Sequence, residues 1–154
     1  MSVSIRPYRD EDRDAVRALV AAVLTEFGFG HAVGGVERDL AEIATRYGAE
    51  GAGFWVAVAE DGVVVGTVAI RPKEGRTCEF KRLYLHPQRR GSGLGQRLYD
   101  HAEAFARRAG YEAIWLDSSR RFGKAHRLYE RNGFTLLERV DNDWEDNLYE
   151  KRLG

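Results

Sequence analysis

The chain lacks three things that would each have defined a class of protein. It has one cysteine, Cys78, among 154 residues, so no internal disulfide can staple it. With no histidine at an obvious pairing position, Cys78 reads as a small buried residue at the start of a strand rather than a catalytic thiol. It has no excess of charge: 24 Lys and Arg balance 24 Asp and Glu, so no global basic field exists to hold nucleic acid or an anionic membrane. It has no long hydrophobic run. Nothing is long enough to span a bilayer, and Met1-Ser2-Val3-Ser4-Ile5-Arg6 lacks the apolar core of a signal peptide, so a cytoplasmic location is expected.

Metal-ligand spacing is missing too. His31, His86, His101 and His126 fit no ligand pattern, and His101 reads as solvent-facing on its helix. The acidic run Asp141-Asn142-Asp143-Trp144-Glu145-Asp146 lacks the central glycine of a calcium loop. It reads as a polar hairpin tip, with a place near a substrate entrance left open, and no metal is expected.

What is present is enough apolar material, 44% of residues, for one domain over 1–154 with one sizeable core. Val3–Pro7 reads as a strand. Asp10 is the expected N-cap of a helix whose face carries Ala15, Val16, Leu19, Val20, Val23 and Leu24. Phe27–Gly35, with four glycines and two phenylalanines, reads as a loop. Val36, Leu40, Ile43 and Tyr47 then predict a second helix. Strands follow at Phe54–Ala59 and Val63–Ile70, joined by the hairpin signal Glu60-Asp61-Gly62, and at Thr77–His86 after a polar turn over Pro72–Arg76. Leu94, Leu98, Ala102, Phe105, Ala106 and Ala109 space a helix closed by Gly110. The remainder reads as a buried strand at Ala113–Leu116, a helix over Arg120–Asn132, and strands at Phe134–Val140 and Asn147–Leu153. The expected fold is α/β, a mixed, mainly antiparallel sheet with helices on both faces.

Chemistry concentrates between the third predicted helix and the strand before it. Arg90-Gly91-Ser92-Gly93-Leu94-Gly95 joins that strand to a helix N-terminus, where backbone N–H groups lack helical partners and the dipole adds positive charge. Glycines let an anion approach the backbone, so the turn reads as a phosphate or pyrophosphate cradle. Gln96 and Arg97 follow Gly95, so this is not a P-loop, and G-x-G-x-G is not the dinucleotide fingerprint. A tight turn needing glycine only for its backbone angles stays open.

The pattern Arg-x-x-Gly-x-Gly at 90–95 resembles the pyrophosphate loop of the GCN5-related N-acetyltransferases (GNAT), which bind acetyl-CoA. Glu79–Pro87 looks like that family's fourth strand, and Ala125–Phe134 like its A-x-x-L-Y-x-x-x-G-F segment. The resemblance implies the acyltransferase fold, acetyl-CoA as acetyl donor, and a small-molecule amine or amino acid as acceptor attacking directly in a ternary complex. No nucleic-acid or membrane partner is expected from the balanced charge, and a homodimer is left open. It implies that Leu83, Tyr84 and Leu85 hold the pantetheine arm by strand addition and that Arg90, Gly91, Ser92, Gly93, Leu94, Gly95 and Gln96 hold the pyrophosphate. Phe122 stands where many members carry a cofactor-binding Asn, so Arg120, Arg121 or Lys124 is expected to reach a phosphate instead.

Transfer to an amine needs a proton donor for the departing thiolate. Tyr129 is the expected acid, since a phenol with a pKa of about 10 is protonated at neutral pH. A core tyrosine is the alternative. Glu79 is the expected base, through a water, or else an ion-pair partner of Lys81 two residues on. Phe29 and His31, in the glycine-rich loop, are expected on the acceptor side, or as a structural connection. A non-catalytic acyl-CoA-binding module is the rival function.

Overall fold

The structure, a computed structural model, describes residues 2–154 apart from the side chains of Val36, Glu37 and Asp39. Met1 and the side chain of Val36, both used in the sequence reading, lie outside the described residues.

Seven strands form one sheet: β1 (Val3–Pro7), β2 (Gly53–Ala59), β3 (Val64–Glu74), β4 (Thr77–Leu85), β5 (Ala113–Ser119), β6 (Thr135–Arg139) and β7 (Asp146–Arg152). Their spatial order is β1-β2-β3-β4-β5-β7-β6, and every neighbouring pair is antiparallel except β4 and β5. The helices are α1 (Arg13–Glu26), α2 (Val33–Leu40), α3 (Ile43–Arg46), α4 (Leu94–Arg108) and α5 (Gly123–Arg131). They cover both faces, as the element order implies. On one face Leu94, Leu98, Tyr99 and Ala102 of α4 and Leu128 and Tyr129 of α5 pack on Ile70, Phe80, Ile114 and Leu116. On the other, Val16, Val20, Val23 and Leu24 of α1 join Leu40 and Ile43 against Phe54, Val56 and Ala69. Among the described residues no helix is long and apolar enough to cross a membrane.

Two details position the site. First, β4 pairs with β5 only at Thr77–Glu79, opposite Ala113–Trp115. Beyond that point the strands part. Register with β3 also shifts between Thr67 and Ala69, where Arg82 adopts φ +60°. The fully buried Thr67 donates its hydroxyl to the Arg82 carbonyl at 2.7 Å and pins this bulge. The Leu83–Leu85 edge that faces away from β3 is thus without a strand partner. Second, an added Cβ on Gly66 of β3 would lie 2.9 Å from Leu98 Cδ1. Glycine there lets α4 sit close on the sheet.

Several boundaries differ from the sequence reading. Asp10 caps nothing. Asp12 instead accepts the Arg9 N–H at 2.9 Å and a bidentate bond from Arg6 at 2.7 and 2.9 Å. Ala15 is exposed, because the buried face of α1 starts at Val16. The Phe27–Gly35 loop is shorter than expected, since a 3-10 turn forms at Gly30–Ala32 and α2 takes in Gly34 and Gly35. The expected second helix breaks in two after Leu40. β5 runs on to Ser119, held by β7, and α5 starts three residues later than expected. Arg120 is the cause: its N–H donates to Glu145 O and its guanidinium to Val140 O and Asp146 O. His101 is half-buried, edge-on to Trp55, rather than solvent-facing, and burial lowers its pKa. Cys78 is fully buried and its thiol is pushed up to about 12, which removes it from thiolate chemistry.

The Arg6–Asp12 pair fastens β1 to the start of α1. The Arg6 hydrogen bonds hold the Asp12 carboxyl below its ordinary value. A lowered folded-state pKa gives stability that is present above the unfolded value and lost as pH falls through the folded one. Asp12→Asn should therefore cost about 1–3 kcal/mol at pH 7, and the gap from the parent should close below about pH 4. Urea melts at the two pH values check this; an equal gap at both would show that the ionised carboxylate contributes nothing.

Candidate active site

The glycine turn between β4 and α4 is built as a chain of unusual backbone angles. His86 Nδ1 accepts the Gln88 N–H, opening a 3-10 turn at Pro87–Arg89. Gly91 and Gly93 then take φ +77° and +85°, in the left-handed region. Gly93 is the N-cap of α4 and brings no side chain to cap it. The first N–H groups of α4, from Leu94, Gly95 and Gln96, lack intrahelical acceptors and face outward. Open space surrounds the missing Cβ positions of Gly91 and Gly93.

The turn forms one wall of a 630 Å³ cleft. Leu83, Tyr84 and Leu85 also line it, as do Lys124, Arg127, Leu128 and Arg131 of α5. The cleft therefore gathers most of the residues expected to hold a cofactor: Leu83, Tyr84, Leu85, Arg90, Gly91, Gly93, Gly95, Gln96 and Lys124. Ser92 and Leu94 are not on its walls by side chain. Ser92 Oγ donates to Arg89 O, and Leu94 is buried in the core. Arg90 is committed within the protein: it holds Glu26 at 2.6 and 2.9 Å and also donates to Leu85 O at 3.1 Å. That leaves the backbone N–H groups as the free anion ligands of the turn.

Phe122, in place of a polar residue, closes the cleft with aromatic surface. Its ring lies 4.9 Å from Phe27 and 5.8 Å from Phe29, and Phe29 stacks on Trp144 at 4.8 Å. Arg121 ties the cluster together. Nε donates to Glu145 at 2.9 Å, Nη1 donates to Phe27 O at 3.1 Å, and the guanidinium lies over Phe29. Of the three cations considered as phosphate ligands, Arg120 and Arg121 are therefore occupied by the protein, and Lys124 has no partner among the described residues.

The expected catalytic pair is split by the sheet. Tyr129 packs among Phe80, Phe134 and Tyr149 with 4% exposure. Burial pushes its phenol well above the ordinary value. Glu79 lies between Cys78 and Phe80, both in that same core, so strand alternation puts it on the opposite face. Its strand neighbours are Arg71 and Trp115. Glu79 is also about 13 Å along the strand from Leu83, at 3.3 Å per residue, and is not on the cleft wall. Phe29 is fully buried, so its ring faces the core rather than an acceptor, while His31 is exposed. Phe29→Ala should accordingly lower stability by about 3–5 kcal/mol, read from the shift in denaturation midpoint; an unchanged midpoint would contradict the packing role.

Sequence reasoning missed Arg127 and Arg131. The signal was there in the spacing of Lys124, Arg127 and Arg131, which puts three cations on one helical face.

Comparison with known proteins identifies the class to which this fold and cleft belong. The model of the acetyltransferase (GNAT) family matches residues 16–134. An uncharacterized N-acetyltransferase of Schizosaccharomyces pombe is 35% identical over 129 residues, 83% of this chain and 79% of that protein. N-acetylaspartate synthetase of Rattus norvegicus is 39% identical over 109 residues, 70% of this chain but only 36% of that protein. A GNAT acetyltransferase from Staphylococcus aureus superposes with a TM-score of 0.91 at 20% identity, covering 99% of this chain and 100% of that one. The PaiA N-acetyltransferase of Thermoplasma acidophilum, solved with coenzyme A, has a TM-score of 0.79 at 23% identity and 99% coverage of both chains. The acetyltransferase YncA of Salmonella typhimurium, solved with acetyl-CoA, has a TM-score of 0.76 at 22% identity, covering 100% of this chain and 95% of that one. The chain belongs to the GNAT family and is an acetyl-CoA-dependent N-acetyltransferase.

Proposed function

We propose that this cleft seats acetyl-CoA and that the enzyme acetylates the primary amine of a small molecule or amino acid by direct attack. The observation that carries the reading is continuity: the cleft joins the open N-terminus of α4 to the unpartnered edge of β4 at Leu83–Leu85. The pyrophosphate sits against the N–H groups of Gly91–Gln96. The pantetheine arm lies along Leu83–Leu85 as an added strand, which carries the thioester to the point where β4 and β5 part. An N–H of that edge donates to the carbonyl oxygen as negative charge develops on it. The amine nitrogen bonds to the acetyl carbon, the carbon–sulfur bond breaks, and the thiolate leaves.

Tyr129 supplies the proton to that thiolate. Its burial keeps the phenol protonated, and its ring packs on Phe80, one residue past the last β4–β5 pair. Glu79, on the other face, takes the ammonium proton through water from the acceptor side. The acceptor approaches over the α1–α2 face, with His31 at its rim. An amino-acid acceptor is in keeping with the name of the rat relative, whose product is an N-acetylated amino acid.

Purified protein with acetyl-CoA and a panel of amino acids, polyamines and other small primary amines tests this. The expected result is an amine that gains one acetyl group by mass spectrometry, with stoichiometric release of CoA thiol. Acetyl-CoA binding with no acetylated amine from the panel would overturn the small primary amine as acceptor.

A further inference from the structure

The cleft wall is far more basic than the chain. The whole protein has zero formal net charge, yet the cleft is lined by Arg90, Arg121, Lys124, Arg127 and Arg131 and by no aspartate or glutamate. Arg90 is neutralised by Glu26 and Arg121 by Glu145. The other three lie on α5. Among the described residues Lys124 and Arg127 have no ion-pair partner, and Arg131 has only a hydrogen bond to the Gln96 carbonyl oxygen at 3.1 Å. A salt-bridged surface helix would pair such cations with acids one turn away. This face has none: the positions a turn from Arg127 are Gly123, Lys124, Glu130 and Arg131, and Glu130 lies within 3.4 Å of the buried Tyr149 hydroxyl.

We infer that Lys124, Arg127 and Arg131 form a separate subsite for a phosphate monoester, the 3′-phosphate on the ribose of the bound coenzyme, with Arg127 its principal ligand. The inference rests on acetyl-CoA occupying the cleft. A diphosphate bridge is served by the amides of the glycine turn and needs no further cation. A monoester carries about −1.5 to −2 charges at neutral pH, which matches uncommitted guanidinium groups with planar, two-pronged donors. Reach is consistent. Lys124, Arg127 and Arg131 span seven residues of helix, about 10 Å at 1.5 Å per residue. Gln96, in the first turn of α4, contacts both Arg131 and Asn132, which brings the end of this row to the glycine turn.

The consequence is selectivity among donors that share everything except that one phosphate. Calorimetry with CoA and with 3′-dephospho-CoA, on the parent protein and on Arg127→Ala, reads it directly. The parent should bind CoA about 10- to 100-fold more tightly than the dephospho form, the range for a charge-assisted bond. Arg127→Ala should lose most of that preference by weakening CoA alone, and Arg127→Glu should lose all of it. Because Arg127 is exposed and packs in no core, both variants should melt with the parent. Equal affinity of the parent for the two ligands would overturn the subsite, as would a variant that weakens both ligands alike. Parent protein that binds neither ligand would instead overturn the seating of the coenzyme in this cleft, and the subsite with it.

Discussion

Tyr129→Phe should lower kcat for acetyl transfer by roughly 10²–10⁴-fold and leave the Kd for acetyl-CoA nearly unchanged, the usual worth of a positioned acid. The substitution keeps the ring that packs on Phe80 and Phe134, so little stability is at stake. It removes the hydroxyl, and with it the proton for the departing thiolate. Because burial raises the phenol's pKa, this acid keeps its proton through neutral and moderately alkaline pH. The parent's kcat should therefore show no decline from loss of this proton below about pH 10, the ordinary phenol value. Stopped-flow or steady-state thiol release measures both. A Phe variant with parental kcat would make Tyr129 a packing residue, and the thiolate would then take its proton from water.

Gly93→Val should weaken acetyl-CoA binding by at least about 10- to 100-fold, the worth of one charge-assisted hydrogen bond lost at the turn. Nothing lies within 4 Å of the missing Cβ, so the cost does not come from a clash within the protein. It comes from φ +85°, which a β-branched residue resists, and from a side chain standing where the diphosphate must approach. Gly62, in the β2–β3 hairpin, has the same φ and the same open surroundings but is off the cleft. Gly62→Val thus carries the backbone strain alone. Calorimetry should show parental affinity in Gly62→Val and lost affinity in Gly93→Val. Equal affinity in both would take the turn out of the site.

The parts of the fold set by local chemistry could be read from the sequence. The glycine turn was legible because only a strand running into Gly91 and Gly93 and then an amphipathic helix satisfies both periodicities. The mixed sheet was legible from element order. What escaped was set by contacts distant in the chain. Arg120 reads as helix former, yet carbonyls of β7 and Val140 pull it out of the helix. Phe29 sits in a glycine-rich stretch that looks mobile, but Trp144, more than a hundred residues on, fixes it in the core. The bulge at Arg82 had no signal, since arginine is not a residue that favours positive φ; the cause is Thr67 on the neighbouring strand. Arg127 and Arg131 lie on the polar side of α5, and the apolar spacing that marks the helix says nothing of what that side faces.

The central claim is that one cleft, from the α4 N-terminus along Leu83–Leu85 to α5, holds acetyl-CoA. Backbone amide chemical shifts measured during an acetyl-CoA titration test it residue by residue. The account predicts saturable shifts concentrated at Gly91–Gln96, Leu83–Leu85 and Lys124–Arg131. Saturation with those amides unmoved, and others shifted in their place, would contradict it.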